Sequence, residues 1–215
     1  MSNVYISTDA NLLLKKHLSS VGHNVIEVMP MTTIDKAIQS HPDIYMCALR
    51  DSLYHGDMAL LGYEYPQCAI FNGCSTGKYF MHNLKYTATG LLKAVRKEGQ
   101  VEVHVPQGYT KCNCVVVDED SIITSDHGIY KSVSAAGINV LLIEKGQVVL
   151  KGHPYGFLGG ASGKIGNTII FNGDITKHSD YNAIKSFIES RKVDIKYFEE
   201  YQLTDIGSII EEKVK

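Results

Sequence analysis

The order of signals along this chain repeats. Ile6-Ser7-Thr8-Asp9 leads to Val25-Ile26-Glu27-Val28, Thr124-Ser125-Asp126 leads to Val140-Leu141-Leu142-Ile143, and His178-Ser179-Asp180 leads to Val193-Asp194-Ile195. Each time, a small polar residue and an Asp open a stretch of helical periodicity, which ends near a Gly or Lys and passes into a β-branched strand. A unit of this size cannot bury its own apolar face, so such units must pack against one another, in a solenoid or in a closed ring.

The first unit has Asp9 as the expected N-cap, an apolar face of Leu12, Leu13, Leu14 and Leu18, Gly22 as a stop and a strand from Asn24 to Met29. Thr32 with Asp35 has the form of a capping box for a short helix through Ile38, followed by His41-Pro42-Asp43 and a strand from Ile44 to Leu49. From Arg50 to His82 the chain is punctuated by Gly56, Gly62, Pro66, Gly73 and Gly77, with a short strand expected at Ala69-Ile70-Phe71. Thr87 to Glu98 reads as a helix stopped by Gly99, and Val101 to Val105 as an alternating strand. Cys112 to Val117 and Ser121 to Thr124 form a hairpin around Asp118-Glu119-Asp120, and the next strand runs from Thr168 to Phe171. The last unit has a helix from Tyr181 to Ser190, with strands at Ile195 to Phe198 and near Ile209. Four units are visible and the irregular stretch has room for a fifth. Neither terminal unit has the strongly polar outer face of a solenoid cap, so closure is favoured. The expected fold class is α/β: a pseudo-symmetric α/β propeller of repeated βαβ-type units around a central axis, with residues 1–215 as a single domain.

Composition narrows the partners. The net charge is −2 and no run of Lys or Arg exceeds two residues, so the electrostatic footprint for nucleic acid or an anionic membrane is absent. No basic n-region, long apolar h-region or membrane-length window is present, and the expected location is cytoplasmic. Five cysteines without framework spacing read as free thiols, several of them small buried hydrophobes. No metal site and no cofactor is expected.

Several residues are candidates for chemistry. His41 and Asp43, two apart on an expected strand, would share a face, and histidine titrates near neutrality; the alternative is a His-Pro turn in which Asp43 bonds nearby amides. Cys112 and Cys114 would share a face too, as a displaced nucleophile or as alternating small residues of a buried strand; a lone C-x-C lacks the second ligand pair of a structural zinc site. The glycine cluster from Gly156 to Gly166 fails as a phosphate loop, because Leu158 occupies the first required glycine, Ile165 replaces Ser or Thr, and a strand follows. Its backbone instead approaches a ligand closely or turns tightly between units. Lys164 is a ligand-facing cation or a solvated lysine, and Ser162 is activated only if His41 or His127 reaches it. Asp126 and Asp180 are N-caps at matching repeat positions.

In order along the chain, His41-Pro42-Asp43-Ile44-Tyr45-Met46, Gly108-Tyr109-Thr110-Lys111-Cys112-Asn113-Cys114 and Phe157-Leu158-Gly159-Gly160-Ala161-Ser162-Gly163-Lys164 resemble three motifs of the penteins, the guanidine-modifying superfamily that includes the agmatine and arginine deiminases. They look like its His-x-Asp stretch, its Ser-Tyr-x-Asn-Phe stretch before a hairpin, and its Gly-Gly-x-x-x-Cys nucleophile loop. The sequence looks closer to an uncharacterised bacterial group of that fold than to the deiminases. The family's nucleophilic cysteine is not retained: Lys164 stands in its place, and no Cys follows Cys114. What the resemblance implies is an amidinotransferase-like fold with an axial pocket lined by His41, Asp43, Asn113, Gly159, Gly160, Ser162 and Lys164, binding a small polar, amine- or amidine-bearing metabolite. Two functions stay open. One is a hydrolase or transferase at a C–N bond, with His41 as acid/base, Asp43 as cation anchor and Cys112 or Cys114 as a relocated nucleophile. The other is a non-catalytic binding or interaction protein that keeps the fold. A nucleotide enzyme using the glycine-rich loop is a distant third. Exposed sheet edges and many Tyr residues permit a homodimer.

Overall fold

The computed structural model of the chain describes residues 1–213, so the expected 1–215 domain is covered through residue 213. In chain order, the first unit contains β1 (Ser2–Ser7), α1 (Leu12–Ser20) and β2 (Asn24–Val28), and the second α2 (Pro42–Tyr45), β3 (Met46–Ala48) and β4 (Leu53–His55). The third holds β5 (Cys74–Ser75), β6 (Tyr79–His82), α3 (Thr89–Lys97) and β7 (Val101–His104). The fourth runs through α4 (Thr110–Asn113), β8 (Cys114–Asp118), β9 (Ser121–Thr124), α5 (His127–Ala135) and β10 (Asn139–Leu142). The fifth has β11 (Ser162–Ile165), β12 (Thr168–Phe171), α6 (Tyr181–Glu189) and β13 (Asp194–Lys196), after which β14 (Ile210–Lys213) returns to β1. The result is a mixed α/β fold of five small sheets.

Four sheets share one plan. An antiparallel pair, β5/β6, β8/β9, β11/β12 or β14/β1, is followed by a helix and a third strand parallel to the second. The helices α1, α3, α5 and α6 are each nine residues long and each bury two residues one turn apart: Leu14 and Leu18, Leu91 and Val95, Ile129 and Val133, Ile184 and Ile188. Gly22, Gly99 and Gly137 close the first three with left-handed φ of 90°, 65° and 80°, where a Cβ would be strained. Lys192, at φ 57°, closes the fourth. The remaining unit, the second in chain order, is the irregular one: β3 and β4 pair without a third strand, and one-turn 3-10 helices at Met58–Leu60 and Gln67–Ala69 stand where the long helix would be.

The apolar faces meet between units. Val4, Ile6, Leu14 and Leu18 pack on Ile165, Ile170 and Phe198; Val28 and Ile210 on Ile44 and Met46; Cys47 on Phe80, Leu91 and Val95; Cys74, Met81 and Val103 on Ile122, Ile129 and Val133; Val117, Ile123 and Ile143 on Ile169, Phe171, Ile184 and Ile188. The strands that open each sheet also touch in sequence: β3 with β5, β5 with β8, β8 with β11, β11 with β14, and β14 with β3.

Some local expectations are corrected. Asn11, not Asp9, caps α1, its side chain accepting from the Leu13 amide, which rotates Leu12 and Leu13 outward to 60% and 38% exposure. No helix follows Thr32; that stretch is turns. The expected strand from Ile44 begins only at Met46, because Pro42 is preset for the first position of a helix and holds His41 extended before it. Ala69-Ile70-Phe71 is a 3-10 turn and its exit, not a strand. Asp126 caps α5 as expected, accepting from the Ile129 amide at 2.8 Å, whereas the Asp180 carboxylate takes the Glu144 amide from another segment at 2.6 Å. Leu14→Ala should cost about 2–5 kcal/mol of unfolding free energy and Leu12→Ala within about 0.5 kcal/mol; urea titration of both variants checks the assignment of the helix face.

Candidate functional site

The segment two to five residues ahead of each leading strand delivers a polar group or a glycine to one place: Asp43 before β3, Asn72 before β5, Lys111 and Cys112 before β8, Gly159 and Gly160 before β11, and Asp205 to Ser208 before β14. At the centre is Asp43, with no solvent exposure. Its Oδ2 accepts from Ser208 Oγ at 2.7 Å and from the Cys112 thiol at 3.1 Å. Its Oδ1 is buried and has no hydrogen-bond partner among the described residues. Asn72 fastens the surroundings: Nδ2 donates to the Asp43 carbonyl at 3.1 Å and to Cys112 Sγ at 3.2 Å, while Oδ1 accepts from the amides of Lys111 and Cys112 at 2.9 and 3.3 Å. Lys111 Nζ donates to Ser208 Oγ at 3.1 Å.

A second buried carboxylate stands beside the first. Asp205 accepts from the Gly207 amide through Oδ1 and from the Phe157 amide through Oδ2, both at 2.9 Å, and His41 Nδ1 lies 3.8 Å from Oδ1. That last contact is within ion-pair distance, yet burial holds the His41 imidazole below its ordinary pKa and outweighs the opposing pull of Asp43 and Asp9, so it is a contact with neutral histidine. Burial likewise raises Asp43, with the neighbouring Asp205 carboxylate adding to the rise and the Ser208 hydrogen bond opposing it, and pushes Asp205 up to about 6. Burial, reinforced by the two carboxylates, holds Cys112 well above the usual thiol range, so in the resting site it is a protonated donor to Asp43 rather than a thiolate.

The glycines are explained by close contact within the protein, with backbone at Gly159 and with side chains at Gly160 and Gly207. A Cβ on Gly159 would stand 2.5 Å from the carbonyl oxygens of Lys111, Cys112 and Cys114, and one on Gly160 would stand 2.1 Å from an Asp205 oxygen. Gly207, at φ 69°, would meet His41 Cβ at 2.1 Å. The close approach expected of the Gly159-Gly160 pair is to the chain's own Lys111–Cys114 turn at Gly159 and to the Asp205 carboxylate at Gly160.

Of the sequence candidates, His41, Asp43, Cys112 and Gly159 come together, though His41 and Asp43 flank Pro42 at a helix start and do not alternate on a strand. Cys112 and Cys114 do not share a face: Cys112 lies in α4, and Cys114 opens β8 and packs with Cys74 and Val103. Asn113 turns to its own helix, its Nδ2 donating to the Tyr109 carbonyl at 2.8 Å. Ser162 and Lys164 sit on β11, not in the glycine loop, and line a cavity of about 540 Å³; His41, Asp43, Asn113, Gly159 and Gly160, expected to line the same pocket, are packed behind its wall instead. Lys164 Nζ donates to the Val117 carbonyl at 2.5 Å. The leading strands of all five sheets contribute to this cavity, through Ala48, Ser75, Val116, Lys164 and Glu211, and Lys111 belongs both to its wall and to the Asp43 cluster. Asn72, Lys111, Asp205 and Ser208 were not singled out in the sequence; the available signal was their shared position just ahead of a leading strand. Among the described residues no three of His, Cys, Asp or Glu are grouped to hold a metal ion, and no helix is long and apolar enough to cross a membrane.

A carboxyl whose folded pKa is raised binds its proton more tightly in the native state, so its contribution is fully present below the unfolded pKa and is lost as pH rises through the folded one. From pH 4 to pH 6 the wild type should therefore lose stability relative to Asp205→Asn, by at most about 3 kcal/mol for a carboxyl moved from 3.8 to about 6. Urea unfolding across that window measures it. Because the comparison is of slopes, a constant loss from the altered amide bonds does not enter, and equal slopes would refute the assignment.

A comparison with curated proteins finds no match. The family match runs over residues 52–210, which include Asn72, Lys111, Cys112, Asp205 and Ser208, and begins after His41 and Asp43. The chain thus belongs to the family described as a family of unknown function, DUF6873.

Proposed function

We propose that the five units form a pentein-type α/β propeller and that the protein binds a small amine- or amidine-bearing metabolite in the axial cavity, acting at a C–N bond. The cyclic contact of the five leading strands, the five clusters at their junctions and the cavity walled by every unit support the propeller. The observation that carries the ligand is Asp43. A buried carboxylate oxygen left without a donor costs on the order of 1–3 kcal/mol or more, and a cationic N–H group is the ligand that offsets that cost most fully. The cavity wall carries Lys111 and Lys164 together with Asp118, Glu211 and Glu212, which suits a ligand bearing a cationic nitrogen and a polar or anionic second group. In this reading Asp43 anchors the cation, and neutral His41 is the proton carrier next to it.

A second reading, binding without turnover, is favoured by one observation: the Cys112 thiol is held protonated, and Lys164 occupies the expected nucleophile position while bonded to a carbonyl.

The test uses agmatine as the probe. Titration calorimetry should show saturable binding that weakens at least tenfold, about 1.4 kcal/mol, in Asp43→Asn; no binding to the wild type rejects the ligand class. Ammonia or amine release that disappears in His41→Ala selects the enzyme over the binder, and binding with no release selects the binder.

A further inference from the structure

Two non-glycine residues among those described have left-handed backbone, Lys192 at φ 57° and Ser208 at φ 72°. Lys192 is exposed at the end of α6, where its amide returns to the Glu189 carbonyl, an ordinary helix exit. Ser208 is fully buried between Gly207 and Ile209, away from any helix end. Glycine would hold that conformation without strain, so what a serine adds there is its hydroxyl. That hydroxyl is placed between a base and a cation: Oγ donates to Asp43 Oδ2 at 2.7 Å and accepts from Lys111 Nζ at 3.1 Å, and its second acceptor is the Gly159 carbonyl at 3.1 Å. A hydroxyl in contact with a carboxylate that takes its proton and an ammonium that stabilises developing negative charge has the parts of an activated nucleophile.

We propose that Ser208 is the nucleophile of the site, with Asp43 as its general base and Lys111 as the positioning cation. The inference rests on the ligand site proposed above and names the atom that reacts there. Ser208 Oγ bonds to the electrophilic carbon of an amide or amidine, the π pair of that carbon moves onto its oxygen or nitrogen, and the hydroxyl proton passes to Asp43 Oδ2. Collapse breaks the C–N bond, and the amine leaves with the proton from Asp43. Water then attacks the serine-bound carbon, gives a proton to Asp43, and the Ser208 oxygen recovers it on release. The approach is from the cavity side: Lys111, which donates to Oγ, and Ile209, the next residue along the chain, both line the cavity. The raised pKa of Asp43 suits it to hold a proton between the two steps.

The experiment treats the full-length chain with diisopropyl fluorophosphate and maps the adduct by mass spectrometry. The expected result is one adduct, on Ser208, absent in Ser208→Gly, whose melting temperature is expected to be no more than a few degrees below that of the wild type because glycine relieves the left-handed backbone. Ser208→Cys should be alkylated by iodoacetamide at the new thiol faster than at Cys112. An unlabelled Ser208, an adduct that persists in Ser208→Gly, or a Ser208→Cys thiol that does not react overturns the proposal, the last by showing that the position is out of reach. Agmatine binding with no Ser208 adduct removes the nucleophile and leaves the ligand reading standing; an adduct without agmatine binding keeps Ser208 and rejects that ligand class.

Discussion

A sheet of two or three short strands with one nine-residue helix has more apolar face than it can cover by itself, and the rest of this structure follows from how that face is covered. Each hydrophobic cluster lies across a junction between two sheets rather than inside one unit. The paired buried residues of α1, α3, α5 and α6 are therefore half of a contact whose other half comes from a different part of the chain. This accounts for both the repetition and its one lapse: the unit built on β3 and β4 has no nine-residue helix after its hairpin, and Leu91 and Val95 of α3 help cover Cys47 from the neighbouring unit.

Covering the faces in this way brings the starts of the five leading strands together, and that is where backbone polarity accumulates. The polar groups found there answer it. Asn72 alone satisfies two amides and a carbonyl from two other chain segments, and Asp205 takes two further amides. Asp43 is different in kind, since it bonds a hydroxyl and a thiol and keeps one oxygen unmatched among the described residues. Structural carboxylates in proteins are saturated by their surroundings. One that is not, flanked by a strained serine and a lysine amine, marks the part of the cluster whose arrangement packing does not explain.

The helices and most strands were legible because their signals are local: periodic apolar residues, an Asp or Asn at the start, a glycine just past the end. The errors fell where a local pattern had two solutions. Leu12 through Leu14 is apolar throughout, and only the choice of Asn11 over Asp9 as cap decides which leucines face inward. His41-x-Asp43 alternates as a strand would, but Pro42 prefers a helix start. The candidate site was legible in His41, Asp43 and Cys112, which carry recognisable chemistry. It was not legible in Asn72, Lys111, Asp205 and Ser208, ordinary polar residues whose importance comes from meeting across separations of up to 165 positions. The Gly159-Gly160 pair is a place of close approach, but its partners are the protein's own backbone at Gly159 and the Asp205 side chain at Gly160.

The sheet that joins β14 to β1 couples the two ends of the described chain, pairing Ser2 with Lys213 and Tyr5 with Ile210. During synthesis on a ribosome, β1 is made before the other described strands and its antiparallel partner β14 after them. Until then β1 is an edge strand with open backbone groups, and the polar cluster lacks Asp205 and Ser208. Four sheets have all their strands beforehand, but the one that seats the site cannot be finished until translation has passed residue 213. A ribosome stalled before residue 205 would therefore hold a chain with α1 to α6 already synthesised and a polar cluster still without Asp205 and Ser208.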